Sequence, residues 1–203
     1  MDDGPSPGGL VEAHADQVEL VLASASPRRA QLLGLLDRPF EVRIAEIDES
    51  VLDGEEPAAH VERLARHKVG AIESTTAEIV IGADTVVVID GDIIGKPDDV
   101  EHATAILERL SGRSHLVLTG VAVRRGTSVR STVATTTVIM RAITPDEIAT
   151  YIASGEPMDK AGAYGLQGIG GRFVERIDGS HHNVVGLPLT VVEQLMSELI
   201  ASS

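Results

Sequence analysis

Residues 18–36, VELVLASASPRRAQLLGLL, join a β-type apolar run to a helix with almost no chain between them. VELVLAS, Val18–Ser24, reads as a buried strand. Ser26 stands where a helix N-cap stands, and Pro27 sits at the first helical position, where a missing N–H leaves no bond unmade. Leu32, Leu33, Leu35 and Leu36 supply the apolar stripe of that helix. A buried strand running straight into an amphipathic helix is the opening of a βα unit, and it commits the chain to an α/β architecture.

The rest of the sequence extends that pattern. FEVRIAEID alternates from Phe40 and reads as a second strand, and a helix follows Pro57 with Val61, Leu64, Ala65, Val69 and Ile72 on one face. EIVIGADTVVVIDGDIIGKP, residues 78–97, predicts a strand, a break at Gly82, a second apolar run, an Asp90–Gly91 turn and a returning strand. An amphipathic helix follows in DDVEHATAILERLSG. Two long antiparallel strands are then expected around Arg125–Gly126–Thr127. A short helix capped by Thr144, a glycine-dense stretch from Gly162 to Gly171, the strand RFVERIDG and a helix from Leu189 to Ile200 complete the chain. The expected fold is therefore α/β, a mixed twisted sheet with flanking helices and no internal repeat. Residues 18–203 read as a single domain. Residues 1–17, acidic and rich in Gly and Pro, read as a disordered tail without the features of a secretory signal.

Composition narrows the chemistry. None of the 203 residues is cysteine, so disulfide, zinc-thiolate and cysteine-nucleophile readings fall away. The formal net charge of -14 opposes binding to nucleic acid polymers and to anionic membranes. With aromatics at 2%, stacking platforms for single strands are nearly missing. No run approaches the about 18 apolar residues of a membrane span. A cytoplasmic protein is expected, with a small-molecule partner.

Against that charge, adjacent Arg28 and Arg29 at a strand-to-helix turn stand out. Backbone N–H groups at a helix start, the hydroxyls of Ser24 and Ser26, and two planar guanidinium forks suit phosphate oxygens. The same residues fit arginines that are solvated or paired with surface acids. No G-x-x-x-x-G-K is present, so this is not a Walker loop. Asp84, between apolar β runs, reads as a partly buried carboxylate in need of a cation, a metal or backbone donors. Lys96, held between Gly95 and Pro97, is either exposed or aimed into a site. In DKAGAYGLQGIGG, glycines around Gln167 permit close approach of a ligand whose edge an amide can read; a floppy surface loop has the same glycines. His181 and His182 point opposite ways on an extended chain, so a two-histidine metal clip is not expected.

Taken in order, LASASPRRAQLL, IGADTVV, GKP, DKAGAYGLQG and IDGSHHNVVGLPL resemble the Maf family of nucleoside triphosphate pyrophosphatases, with the dTTP/UTP branch nearest. The resemblance spans roughly residues 18–200. It implies a two-lobed, elongated α/β fold with a central cleft, and hydrolysis of a nucleoside triphosphate to monophosphate and pyrophosphate with Mg²⁺ or Mn²⁺. Asp84 matches the family's catalytic aspartate. Ser24, Arg28, Arg29, Lys68 and Lys96 match its phosphate-binding and catalytic polar set, with Lys68 and Lys96 placed beside Asp84 as catalytic. Glu46 and Asp48, in AEIDES, fall where the family has further acids and join Asp84 as the expected metal ligands. Arg28, Thr85 and Gln167 match positions linked to pyrimidine specificity. Gln31 and His181 depart from the family pattern, where glutamate and tyrosine are common. The resemblance leaves a homodimer open. It also leaves a second reading, a nucleotide-binding regulator of division and septum formation with little turnover; the set Asp84, Lys68 and Lys96 argues for the enzyme.

Overall fold

The structure, a computed structural model, describes residues 19–201, so the tail expected over 1–17 lies outside the described residues. In chain order the elements are β1 (Glu19–Leu22), α1 (Pro27–Gly34), β2 (Phe40–Val42), α2 (Pro57–Ala71), β3 (Glu78–Ile89), β4 (Asp92–Ile94), α3 (Val100–Leu110), β5 (Ser114–Arg125), β6 (Ser128–Met140), α4 (Pro145–Ala153), β7 (Val174–Asp178), α5 (His181–Val185) and α6 (Leu189–Ala201). The seven strands form one mixed sheet in the order β2-β1-β3-β5-β6-β7, with β4 on the far end of β3. β1 runs parallel to β2 and β3; the remaining pairs are antiparallel.

Local chemistry accounts for the element ends. Ser26 caps α1 by accepting from the Arg29 N–H, and Pro27 opens the helix. Thr144 and Glu147 form a reciprocal capping box on α4. Asp90 and Gly91 both have positive φ, 55° and 88°, the pair that a tight β3–β4 hairpin requires.

Three expectations are corrected. The second strand is only Phe40–Val42: Arg43 turns out to pair with Glu41 and Glu78, and the chain from 43 to 56 is a loop. β3 does not break at Gly82 but runs unbroken for 12 residues. His181 and His182 lie on a helical turn, not on an extended chain, capped by Ser180.

Gly82 has a different role, shared with Gly120. A Cβ on Gly82 would lie 2.9 Å from the Ala65 carbonyl oxygen, and one on Gly120 only 2.1 Å from that of Val61. Both glycines let α2 lie against the sheet on the face that carries Asp84, whose cross-strand neighbour on β5 is Gly120. A Gly120→Ala protein should therefore lose about 3 kcal/mol, the upper end of overpacking costs. The urea midpoint reads this, and an unchanged midpoint would contradict the close packing of α2.

The core divides along the long strands. One cluster joins β1, α1, α6 and the start of β3; a second joins the end of β3, α3, α4 and Phe173. Smaller clusters seat α2 on the opposite face. Between the two main clusters, β3 has an open edge. β1 pairs with residues 78–81 and β4 with residues 87–89, which leaves 82–86 without a strand on that side. Asp84 and Thr85 fall in this gap, and a cleft of 590 Å³ opens there.

Candidate active site

The centre of the cleft is a buried ammonium held by two carboxylates. Lys68, in the last turn of α2, places Nζ 2.7 Å from Asp84 Oδ1 and 2.7 Å from Glu49 Oε1. The Lys68 and Asp84 side chains are 8% and 12% exposed, so each needs the other to offset its lost hydration. Glu49 is more open. Burial resists its ionisation, but Lys68, Lys96 and Arg29 outweigh that and hold its carboxyl below the usual range. No hydrogen bond within the described residues engages Asp84 Oδ2 or Glu49 Oε2.

The loop that delivers Glu49 is fixed from below. Glu55 takes Arg63 Nε at 2.6 Å, pairs with His60 Nδ1 at 3.0 Å and accepts the Leu52 N–H, while Arg63 also reaches the Ser50 carbonyl. The guanidinium of Arg63 drives the Glu55 carboxyl far below its ordinary range. This clamp settles which acid of AEIDES faces inward. Asp48 accepts from the Ser50 N–H at 2.9 Å, and Glu46 is exposed; neither lines the cleft. Of the three acids expected to hold a metal, only Asp84 lines the cleft; Glu49, next to Asp48 in the chain, lines it as well.

Arg29 is oriented from three sides. Its Nε donates to Gly186 O at 2.9 Å, one terminal nitrogen to Ser24 Oγ at 3.3 Å, and the other to Thr85 Oγ1 at 3.1 Å. Five N–H groups less these three leave one on each terminal nitrogen without a protein partner. Burial draws the guanidinium below its usual range, against the pull of Asp84 and Glu49, so an added anion is favoured there. Thr119 donates to Asn183 O at 3.0 Å and thus must accept from Thr85 at 3.0 Å. Thr85 consequently spends its one proton inward and presents only acceptor capacity to the cleft.

The remaining expected residues are also present. Arg28 lines the cleft and meets Asp159 at 3.2 Å from the opposite wall. Lys96 and Gln167 line it too, both exposed. Lys160, which the sequence reading did not single out, lies against Asp159 at 2.6 Å and is mostly buried. The lining thus holds Arg28, Arg29, Lys68, Lys96 and Lys160 against Glu49, Asp84 and Asp159. An acidic chain concentrates five cations against three acids in one place.

A resident metal finds few protein ligands here: among the described residues no group of three or more His, Asp or Glu is placed to hold one. Asp84 and Glu49 offer two hard oxygens. Hard oxygens of this kind would suit Mg²⁺ or Mn²⁺.

Fold and site together define a mixed-sheet α/β protein with a cationic cleft around a buried lysine–carboxylate centre. The sequence profile of the Maf-like protein family matches residues 19–199, and the chain belongs to that family. It is 50% identical over 184 residues to a dTTP/UTP pyrophosphatase of Yersinia pestis bv. Antiqua, covering 90% of this chain and 93% of that protein. It is also 50% identical over 182 residues to a dTTP/UTP pyrophosphatase of Moorella thermoacetica, covering 88% and 94%. Among solved structures, the Ham1 protein of Staphylococcus aureus aligns over 60% of this chain and 71% of its own, with TM-score 0.43 and 15% identity.

Proposed function

We propose that this protein hydrolyses the pyrimidine nucleoside triphosphates dTTP and UTP to the monophosphate and pyrophosphate. The observation that carries the reading is Lys68 held between Asp84 and Glu49 on the floor of a cleft rimmed by four further cations. The names of the 50%-identical relatives support it.

In this reading Arg29 takes phosphate oxygens with its two free N–H groups, and Arg28, Lys96 and Lys160 offset the rest of the polyanion. Lys68 holds the Asp84 carboxylate in one orientation. Asp84 Oδ2 then accepts the proton of a water directed at the α-phosphorus, and the cations stabilise the departing pyrophosphate. Asp84 and Glu49 are the residues that would hold Mg²⁺ or Mn²⁺, which when bound offsets phosphate charge and acidifies water. Excess chelator should therefore abolish turnover and added Mg²⁺ or Mn²⁺ restore it; turnover unaffected by chelator would remove the metal from the reading.

Gln167 would read the base. Uracil and thymine share an edge of two acceptors flanking an N–H, and one side-chain amide matches part of it. Cytosine replaces a carbonyl with an amino group and mismatches an amide held in that orientation, whereas the thymine methyl is worth only about 1–3 kcal/mol. Pyrophosphate release across a nucleotide panel tests both points. dTTP and UTP should lead and purines trail. Gln167→Ala should lose more kcat/KM on dTTP and UTP than on CTP. Equal losses on all three would take base reading from Gln167, and tight binding without release would favour the regulatory alternative.

A further inference from the structure

The loop that presents Gln167 is glycine-rich, yet it is tied down by a single carboxylate beneath it. Glu156 accepts the backbone N–H of Ile169 at 2.8 Å, that of Gly170 at 3.1 Å, and the Tyr151 hydroxyl at 2.9 Å. The Tyr151 hydroxyl in turn accepts the Gly165 N–H at 3.3 Å. Two successive N–H groups converging on one carboxylate make an anion-holding nest. Burial resists ionisation of Glu156, but these N–H groups and the hydroxyl outweigh it and hold the carboxyl below its usual range. Packing against Glu156 is equally close: a Cβ on Gly168 would lie 2.5 Å from Glu156 Oε2. The loop from 165 to 171 therefore rests directly on the carboxylate, bonded on both sides of its crest. At the crest, Gln167 is exposed and lines the cleft, and its amide makes no hydrogen bond within the described residues.

We propose that Glu156 is a positioning residue for nucleobase selection: it fixes the 165–171 loop so that the Gln167 amide meets the base in one orientation. A loop free to sample several conformations offers the amide in several orientations, and the match to one hydrogen-bonding edge is lost. The carboxylate does not touch the base; it acts through the backbone it holds. This inference rests on the reading of Gln167 as the group that reads the base.

The decisive substitution is Glu156→Gln, which keeps the shape but replaces one acceptor oxygen with an NH₂ facing N–H or O–H donors. The experiment measures kcat/KM for dTTP and CTP in wild type, Glu156→Gln, Gln167→Ala and the double variant, with amide exchange at Ile169 and Gly170. Glu156→Gln should lower the dTTP-to-CTP ratio on the order of tenfold, as small misplacements of a recognition group do, and speed exchange at both amides. Added to Gln167→Ala it should lower the ratio no further, because the amide it positions is already gone. If Gln167→Ala keeps the wild-type ratio, the reading of Gln167 fails and this inference with it. If Gln167→Ala lowers the ratio while Glu156→Gln leaves it intact, or if the two losses add, only the role of Glu156 is overturned. Should Glu156→Gln not fold, Tyr151→Phe removes the hydroxyl between Glu156 and Gly165 while keeping the ring. A lowered ratio there supports the proposal and an unchanged one overturns it.

Discussion

Asp84→Asn should leave the protein folded and lower kcat on dTTP by about 10²–10⁴-fold, the usual contribution of a general base. The exchange is isosteric. Asn Oδ1 can still accept from Lys68, and Lys68 keeps Glu49 at 2.7 Å, so no buried charge is stranded. What disappears is the carboxylate oxygen that no protein group occupies, the one atom at the open edge of β3 able to take a proton from water. The metal would also lose one of its two hard oxygens, deepening the loss. Pyrophosphate release and a thermal melt on the same preparation separate the two effects. A melt within a few degrees of wild type, beside a collapsed kcat, is the expected pair. A folded Asp84→Asn protein with near wild-type turnover would remove Asp84 from the chemistry.

Much of this centre was legible in the sequence, by two routes. Asp84 between apolar β runs and Arg29 at a proline-opened helix start stand out from the residues themselves, whereas Lys68 and the grouping of the three came only with the resemblance to the Maf family. The missing pieces sit where no period applies. AEIDES lies in a loop, where alternation does not say which acid turns inward. The Glu55–Arg63–His60 clamp turns Glu49 toward Lys68, and leaves Asp48 to bond the next turn of the same loop. Gly82 read as a strand break because glycine weakens strands locally; its use is tertiary, a close approach of α2 visible only once helix and sheet are packed. Glu156 and Tyr151 carry no motif signal, since their work is done through backbone N–H groups of a loop that the sequence left open between ordered and floppy. Lys160 stands in DKAGAYGLQG, but its direction depends on the two short 3₁₀ turns that flank it, Glu156–Asp159 and Ala161–Ala163.

Lys68→Met should be the most costly single change in the cleft, because it strikes stability and catalysis together. Methionine fills similar space without charge, so Asp84, 12% exposed, loses its ion-pair partner, and Glu49 loses one of the cations that surround it. Stranding one member of a buried pair costs about 3–5 kcal/mol. Removing a cation from a site where phosphate charge develops costs about 10²–10³-fold in kcat. The stability part is separable. In Lys68→Met/Asp84→Asn neither buried partner is charged, so most of the lost stability should return while hydrolysis stays at the floor. pH gives a further check through Glu49. Its carboxyl is held below the usual range in the folded protein, so its ionisation stabilises the fold above the ordinary carboxylate range, and that contribution fades as pH falls through the lowered value. Lys68 is a main source of the lowering, so the urea-midpoint gap between wild type and Lys68→Met should be widest near neutrality and narrow below about pH 4. A gap that does not change with pH, or a double variant no more stable than Lys68→Met, would mean that the ammonium is held for packing and not for the two carboxylates it bridges.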